Sequence, residues 1–262
     1  MIRLFVEGVG LCGPGLDGWS ASAPILSGAA AYVPAPAALP AINLLPANER
    51  RRAPATVKLA LAVGAAACAA ALRSPADLPA IFTSSGGDGE TIHEILSVLA
   101  SAQREPSPTR FHNSVHNAPA GYWGIATGAV APTTSLCAHD GSFAAGLLEA
   151  AAQAVEGAVL LIAYDVPYPS PLAAVRPVGG LFGVALVLAP VATPAAFAQL
   201  DLDLQPGNHS SPAQPQLEAL RADIPAARSL PLLEALAGGR IAALTLDYLP
   251  GLNLAIRTAP LP

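Results

Sequence analysis

Between Ser107 and Glu149 the chain gathers side chains that can do chemistry: His112, His116 and His139, three of its five histidines, and Cys137, one of its three cysteines. The segment closes on a strand pattern, Thr133 to Cys137, then the turn Ala138-His139-Asp140-Gly141-Ser142, then a helical pattern from Gly141 to Val155. A side chain at such a strand-to-helix turn meets unpaired backbone N–H groups and the positive end of the helix dipole. A cysteine there would be activated as its thiolate, and the same N–H groups would hold the oxyanion of a thioester under attack. The residue at the tip reads as Asp140. A carboxylate there is stabilised in its charged form, attacks thioesters poorly and would yield an anhydride. Asp is also a preferred helix N-cap, and the two readings are compatible, because a position that has lost its nucleophile can become a cap.

The neighbouring residues carry two readings each. Cys137 is either a buried, inert strand cysteine or a nucleophile served by His112, His116 or His139 as base. His139 either orients Asp140 or faces solvent, and Ser142 is a small residue flanking the turn. His112 and His116 stand four apart, as metal ligands on one helix face often do. However, Asn113, Ser114 and Asn117 interrupt, Pro119 and Gly121 follow, and neither an H-E-x-x-H pattern nor a third ligand is nearby, so no metal is expected. Phe111, His112, Asn113, His116 and Asn117 are expected to hydrogen-bond loop backbone or to line a pocket. The run Ser84-Ser85-Gly86-Gly87-Asp88-Gly89 follows a strand and precedes a helix, but it matches neither nucleotide-binding glycine pattern. It reads as a tight turn, and no cofactor is expected.

The elements that must position these groups alternate. Residues 2–9 form a strand that runs into a glycine loop at Gly10, Gly13 and Gly15. Prolines at 24, 34, 36, 40 and 46 break up residues 20–48. A helix from Thr56 to Leu72 puts Val57, Leu61, Ala65 and Cys68 on one face. Residues 79–83 form a strand and 90–102 a helix. Residues 158–164 and 181–188 are continuous apolar strands of the kind covered on both faces. In the helix after the turn, Phe143, Leu147, Ala151 and Val155 are spaced to face the core. Residues 190–227 read as a linker, 230–236 as a short helix, and 241–249 with 252–258 as a hairpin about Pro250-Gly251. Strands alternating with helices imply an α/β layered fold.

Composition narrows the classes. The chain has 262 residues, 53% hydrophobic and only 12% charged, with a net charge of −5. It lacks the broad basic face of a nucleic-acid protein. Its longest apolar run, Val178 to Ala192, is broken by glycines and Pro190 and falls short of the roughly 18–20 residues of a membrane span. The N-terminus reads as a first strand and not as a signal peptide, so the cytoplasm is the expected compartment. Few charges on an apolar chain suggest either a surface covered by a partner or simply an alanine-rich composition.

Six segments together resemble the N-terminal half of a β-ketoacyl synthase: GVGLCGPGLDGW near the N-terminus, LLPANERRR (44–52), FTSSGGDGE (82–90), SPTRFHNSVHNAPAGYW (107–123), SLCAHDGSFAAGLLEA (135–150) and LLIAYDVPYPSPL (160–172). More closely, they resemble the short chain length factors found with aryl polyene-type biosynthetic genes. The resemblance implies a thiolase-like half fold with α/β/α layers and a mixed, mostly parallel sheet over residues 1–190. A linker (191–227) and a C-terminal helix with a β-hairpin extension (228–262) would follow. It sets Asp140 at the position of the nucleophilic cysteine and puts Phe111 to Gly121 at a dimer interface and pocket floor. The nucleophile is missing, and the histidine pair of a second half has no counterpart. The resemblance therefore implies a non-catalytic chain length factor, paired with an active ketosynthase or with itself, in fatty-acid or polyene biosynthesis. The other readings are a stand-alone scaffold for acyl carrier protein and a thioesterase or acyltransferase using Cys137. Arg50, Arg51 and Arg52 are either a carrier-protein docking spot or a solvated helix start.

Overall fold

In strand β5 (Val159–Asp165) every residue is buried, and alternate side chains enter different cores. Leu161 and Ala163 join one apolar cluster, while Leu160, Ile162 and Tyr164 join the other. This is the signature of a sheet covered on both faces. The computed structural model describes residues 1–102 and 104–261.

The remaining strands are β1 (Ile2–Gly13), β2 (Leu16–Asp17), β3 (Ala80–Thr83), β4 (Thr133–Leu136), β6 (Phe182–Ala189), β7 (Ala198–Gln205), β8 (Ala242–Leu249) and β9 (Leu252–Pro260). They form one sheet in the order β4-β3-β5-β6-β1-β7-β9-β8, with β2 folded onto β1. The helices are α1 (Trp19–Leu26), α2 (Ala47–Arg52), α3 (Ala55–Ala70), α4 (Gly89–Ala100), α5 (Pro108–Asn113), α6 (Ala118–Thr127), α7 (Ser142–Gln153), α8 (Leu172–Val175), α9 (Pro215–Asp223) and α10 (Leu230–Ala237). Helices α3 and α6 cover one face of the sheet, and α7 and α10 cover the other. The α/β/α layering is as expected. Parallel pairing is confined to β4-β3-β5, the end that carries the elbow, and the other pairs are antiparallel. Continuous apolar strands such as β5 and β6 report burial on two faces, and burial does not fix strand direction.

Three readings of the sequence are corrected. The first strand does not end in a glycine loop at Gly10, because β1 continues to Gly13. Its glycines admit a helix: a Cβ on Gly8 would lie 2.3 Å from the Ala67 carbonyl oxygen, and one on Gly10 would lie 2.0 Å from that of Val63. The stretch 191–227 is not a linker across its length. Strand β7 lies within it and pairs with β1 on one side and β9 on the other, so the C-terminal hairpin is continuous with the main sheet. The alternation AQLDLDLQ carries this strand, with Ala198, Leu200 and Leu202 buried. Finally, Val155 lies beyond the end of α7 and is exposed, while Phe143, Leu147 and Ala151 are buried as expected.

No described helix is long and apolar enough to cross a membrane. The close approach of α3 to β1 predicts that Gly10→Ala destabilises the protein by about 3 kcal/mol or more, because backbone must move to admit the methyl group. Gly157, whose Cβ would meet nothing within 4 Å, serves as the control. Its alanine variant should stay within about 0.5 kcal/mol of wild type. Denaturant unfolding of the two variants checks both outcomes.

Candidate functional site

The turn after β4 has the geometry of a nucleophile elbow. His139 has φ of 51°, a left-handed conformation uncommon for a residue with a side chain. A short 3-10 turn, His139–Gly141, then leads into α7. Ser142 ties the turn together. Its Oγ donates to the His139 carbonyl at 2.6 Å and accepts the Ala138 N–H at 3.0 Å. Its own carbonyl accepts from Thr83 Oγ1 at 2.8 Å. The left-handed residue is thus His139, and Asp140 follows it inside the turn.

Neither residue offers a thiol or hydroxyl. Asp140 is clamped by two arginines: Arg176 Nη2 lies 2.5 Å from Oδ1, and Arg228 Nη2 lies 3.0 Å from Oδ2. Partial burial alone would raise its pKa. The hydrogen bond from Arg176 and the charges of Arg228 and Arg176 outweigh that cost and hold the carboxyl below its ordinary value. Asp140 makes no N-cap hydrogen bond to α7; Gly141 occupies the cap position. The His139 side chain is exposed, with Nδ1 3.5 Å from Asp140 Oδ1.

Of the two readings of Cys137, that of a buried strand residue is corrected. It lies just past the end of β4 and is exposed, with Sγ donating to the Ser85 carbonyl at 3.1 Å. The serine-glycine loop is packed as a tight turn. Added Cβ atoms on Gly86 and Gly89 would strike the Tyr168 ring or hydroxyl within 2.3 Å, so the space a phosphate would need is filled. Beneath this loop Asp165 is fully enclosed. Its Oδ1 accepts from Ser85 N at 2.9 Å, Ser85 Oγ at 2.7 Å and Ser84 Oγ at 3.1 Å, while Oδ2 has no partner of full hydrogen-bond geometry among the described residues. Burial pushes its pKa up to about 6 against the lowering effect of the Ser84 and Ser85 donors.

The residues predicted for a pocket or interface separate. Asn113 is buried, donating to the Arg52 carbonyl at 3.0 Å and accepting from Tyr122 Oη at 3.1 Å. With Arg52, Asp88, Thr91, Arg110 and Val166 it lines a cavity of about 520 Å³. His112 packs edge-on against Tyr122, with ring centroids 6.2 Å apart. His116 lies against Gly87, and its Nε2 is buried without a partner among the described residues. Phe111 and Asn117 are exposed. Helix α6, missed because Pro119 and Gly121 read as interruptions, begins at Ala118; proline is tolerated in a first turn. Arg50, Arg51 and Arg52 sit on α2 with no buried residue among them. Arg51 bonds Asn48, and Arg52 lies 3.8 Å from Glu49. Among the described residues no group of three or more His, Cys, Asp or Glu is placed to hold a metal ion.

Residues with no local signal in the sequence complete the elbow. A second cavity, of about 440 Å³, is lined by Ala138 to Gly141, Arg228, Asn253 and the β8 end of the hairpin. A Cβ on Gly141 would lie 2.1 Å from the Tyr248 carbonyl oxygen, so the hairpin backbone rests on the start of α7. Residues 25–243 match the family model of the β-ketoacyl synthase N-terminal domain. The chain belongs to this family. The fold is thiolase-like and resembles a chain of the ketosynthase ApeO in complex with its chain length factor ApeC from Xenorhabdus doucetiae. That likeness has a TM-score of 0.74 at 23% identity and covers 98% of this chain and 100% of that one. It also resembles the ishigamide ketosynthase/chain length factor, with a TM-score of 0.72 at 13% identity over 99% of this chain and 100% of that one. A third likeness is to AntDE:AntF, a type II acyl carrier protein in complex with its hexaketide-bound ketosynthase. It has a TM-score of 0.73 at 12% identity over 99% of both chains. No curated protein matches the sequence.

The raised pKa of Asp165 gives a signed prediction for this ketosynthase-like chain. Between the unfolded value near 4 and the folded value of about 6, the folded chain holds the extra proton, so stability falls as pH rises through that window. Above it the ionised carboxylate costs about 3 kcal/mol. Asp165→Asn keeps the acceptor for Ser84 and Ser85 without the charge. It should stabilise the protein at about pH 7.5, with a gain that shrinks below about pH 6 and is gone near pH 4. Unfolding midpoints measured across that range check it.

Proposed function

We propose that this chain is a non-catalytic ketosynthase-like subunit, a chain length factor, that pairs with an active β-ketoacyl synthase. The observation that carries the reading is the elbow itself. Its turn geometry is intact, yet the two residues at its tip are a histidine and an aspartate whose carboxylate is neutralised by Arg176 and Arg228. A carboxylate held in that clamp does not attack a thioester.

The surface supports a partner. Strand β4 ends the sheet with one side unpaired among the described residues, and an open strand edge is a template for another chain. At the opposite edge, Ser210 covers β8 by taking the Thr245 N–H at 3.0 Å and donating its own N–H to the Thr245 carbonyl at 2.8 Å. Helix α4 exposes Ile92, Leu96 and Leu99 on one face, with Phe111 and Val115 exposed nearby in sequence. The likeness to ketosynthase/chain length factor proteins supports the same pairing. The partner in this reading is an active ketosynthase encoded beside an aryl polyene-type pathway, working on chains held by an acyl carrier protein in the cytoplasm. Arg50 to Arg52 are the proposed carrier contact.

The deciding experiment is co-purification of the tagged chain with the products of neighbouring genes, followed by a malonyl-thioester condensation assay. Expected is co-elution of an active ketosynthase whose product length changes when this chain is absent. Unchanged rate and product length without it would overturn the proposal. Leu96→Glu should weaken the pairing at least tenfold while leaving the chain folded, since Leu96 is exposed. Cys137→Ser should leave the assay unchanged. A loss of acyl-thioester turnover by the isolated chain on that substitution would instead establish a thioesterase or acyltransferase. Carrier binding that persists without a ketosynthase would point to a scaffold.

A further inference from the structure

The charges around the elbow continue beyond Asp140. Arg228, in the 3-10 turn that precedes α10, reaches Asp140 with Nη2 and Asp247 of β8 with Nη1, the latter at 3.3 Å. Asp247 Oδ2 also takes Arg221 Nη1 at 2.7 Å, and Asp247 Oδ1 lies 3.0 Å from His209 Nδ1. His209 Nε2 lies 2.8 Å from Arg221 Nη2. An arginine has no acceptor to offer, so Nε2 accepts from Arg221, and Nδ1–H donates to Asp247. Arg221 is itself buried on α9 and grips Glu218 with both Nε and Nη2. Segments distant in sequence, at 140, 209, 221, 228 and 247, are therefore joined by one chain of ion pairs and hydrogen bonds. It ends where the Tyr248 carbonyl rests on Gly141.

We infer that this chain of ion pairs is a latch that holds the β8 end of the hairpin over the elbow, so that opening the hairpin and loosening the elbow are one event. The contact between Tyr248 and Gly141 is backbone against a Cα. Leu246 and Tyr248 share an apolar cluster with Phe143 and Leu147 of α7, and the charged side chains that tie the end of β8 to the turn itself are Asp140, Arg228 and Asp247. Arg228 occupies the middle and cannot relax toward one carboxylate without weakening its hold on the other. Arg221 and His209 fix Asp247 from the far side, so a change at α9 is transmitted to the turn that carries His139. Removing one member leaves partly buried charges unpaired, which costs more than the pair itself contributes. The latch thereby governs access to the 440 Å³ cavity beside His139 from a helix that does not line it. The inference concerns the free chain and does not depend on which partner it binds.

Hydrogen exchange on the intact chain tests it from both ends. Asp247→Asn is expected to speed exchange about tenfold at residues 246–250 and equally at residues 137–142. Asp140→Asn should do the same in the reverse direction, because a coupling free energy is reciprocal. Exchange in β5 and β6 reports global unfolding and should not change. If each substitution loosens only its own segment, with the other within twofold of wild type, the latch is overturned. If Asp247→Asn unfolds the sheet, Asp140→Asn decides alone, since that side chain is partly exposed and joins neither apolar core.

Discussion

The fold depends on the contact between α3 and β1, where helix backbone sits directly on strand backbone. Glycines at 8 and 10 leave no Cβ in the path of the Ala67 and Val63 carbonyls, and Gly64 on the helix itself makes room for Trp123 and Ile162. At that separation dispersion contacts are made by main-chain atoms as well as side chains, and only small residues fit between the layers. The alanine content therefore has a structural use on α3. The close layer fixes β1 in mid-sheet, which in turn sets the register of β6 and β7 on either side of it. The elbow stands at the end of that rigid stack, and its geometry is held by elements that do not touch its chemistry.

Two carboxylates lie beneath or within the elbow, and their surroundings drive them in opposite directions. Asp140 faces two guanidinium groups and is held ionised. Asp165, two strands away from β4 and fully enclosed, meets only neutral donors and is pushed up to about 6. Diverging carboxylates in one site often mark an acid and a base. Here Asp140 lines the cavity beside His139 with its carboxylate paired to Arg176 and Arg228, and Asp165 is sealed under the serine-glycine loop. Both carboxylates organise their surroundings. Asp165 orders Ser84 and Ser85, and the Ser85 carbonyl in turn receives the Cys137 thiol. The turn keeps the shape of an acyl-transfer elbow while its charges are committed to holding protein segments together.

The elbow, the two apolar strands β5 and β6, helix α3 and the C-terminal hairpin were legible because each is local: a strand-turn-helix pattern, a run of β-branched and leucine residues, a helical period. What escaped depends on distance in sequence. Nothing near Asp140 announces Arg176 or Arg228, which lie 36 and 88 residues away. Glycines in β1 read as a turn because their reason, the carbonyls of α3, lies some 55 residues further on. Strand β7 was hidden by proline-rich flanks although its own alternation is plain. His209, standing in a stretch that looked like connection, gains its role only from Arg221 and Asp247.

The two edges of the sheet differ in a way that bears on assembly. A protein that acts alone has reason to blunt both edges, since either can recruit unwanted strands. Here β8 is capped at Thr245 by Ser210, which satisfies both of its backbone groups, while β4 has Thr133 exposed and the rest half-exposed, with no such cover among the described residues. Helix α4 repeats the asymmetry. Gly89 and Thr91 are its buried residues, and it turns a leucine-isoleucine face to solvent. An amphipathic helix normally buries its apolar stripe, so the exposed face gains nothing for the isolated chain. The open edge directly precedes the elbow in sequence. A strand added to β4 would therefore lie beside the turn that carries His139.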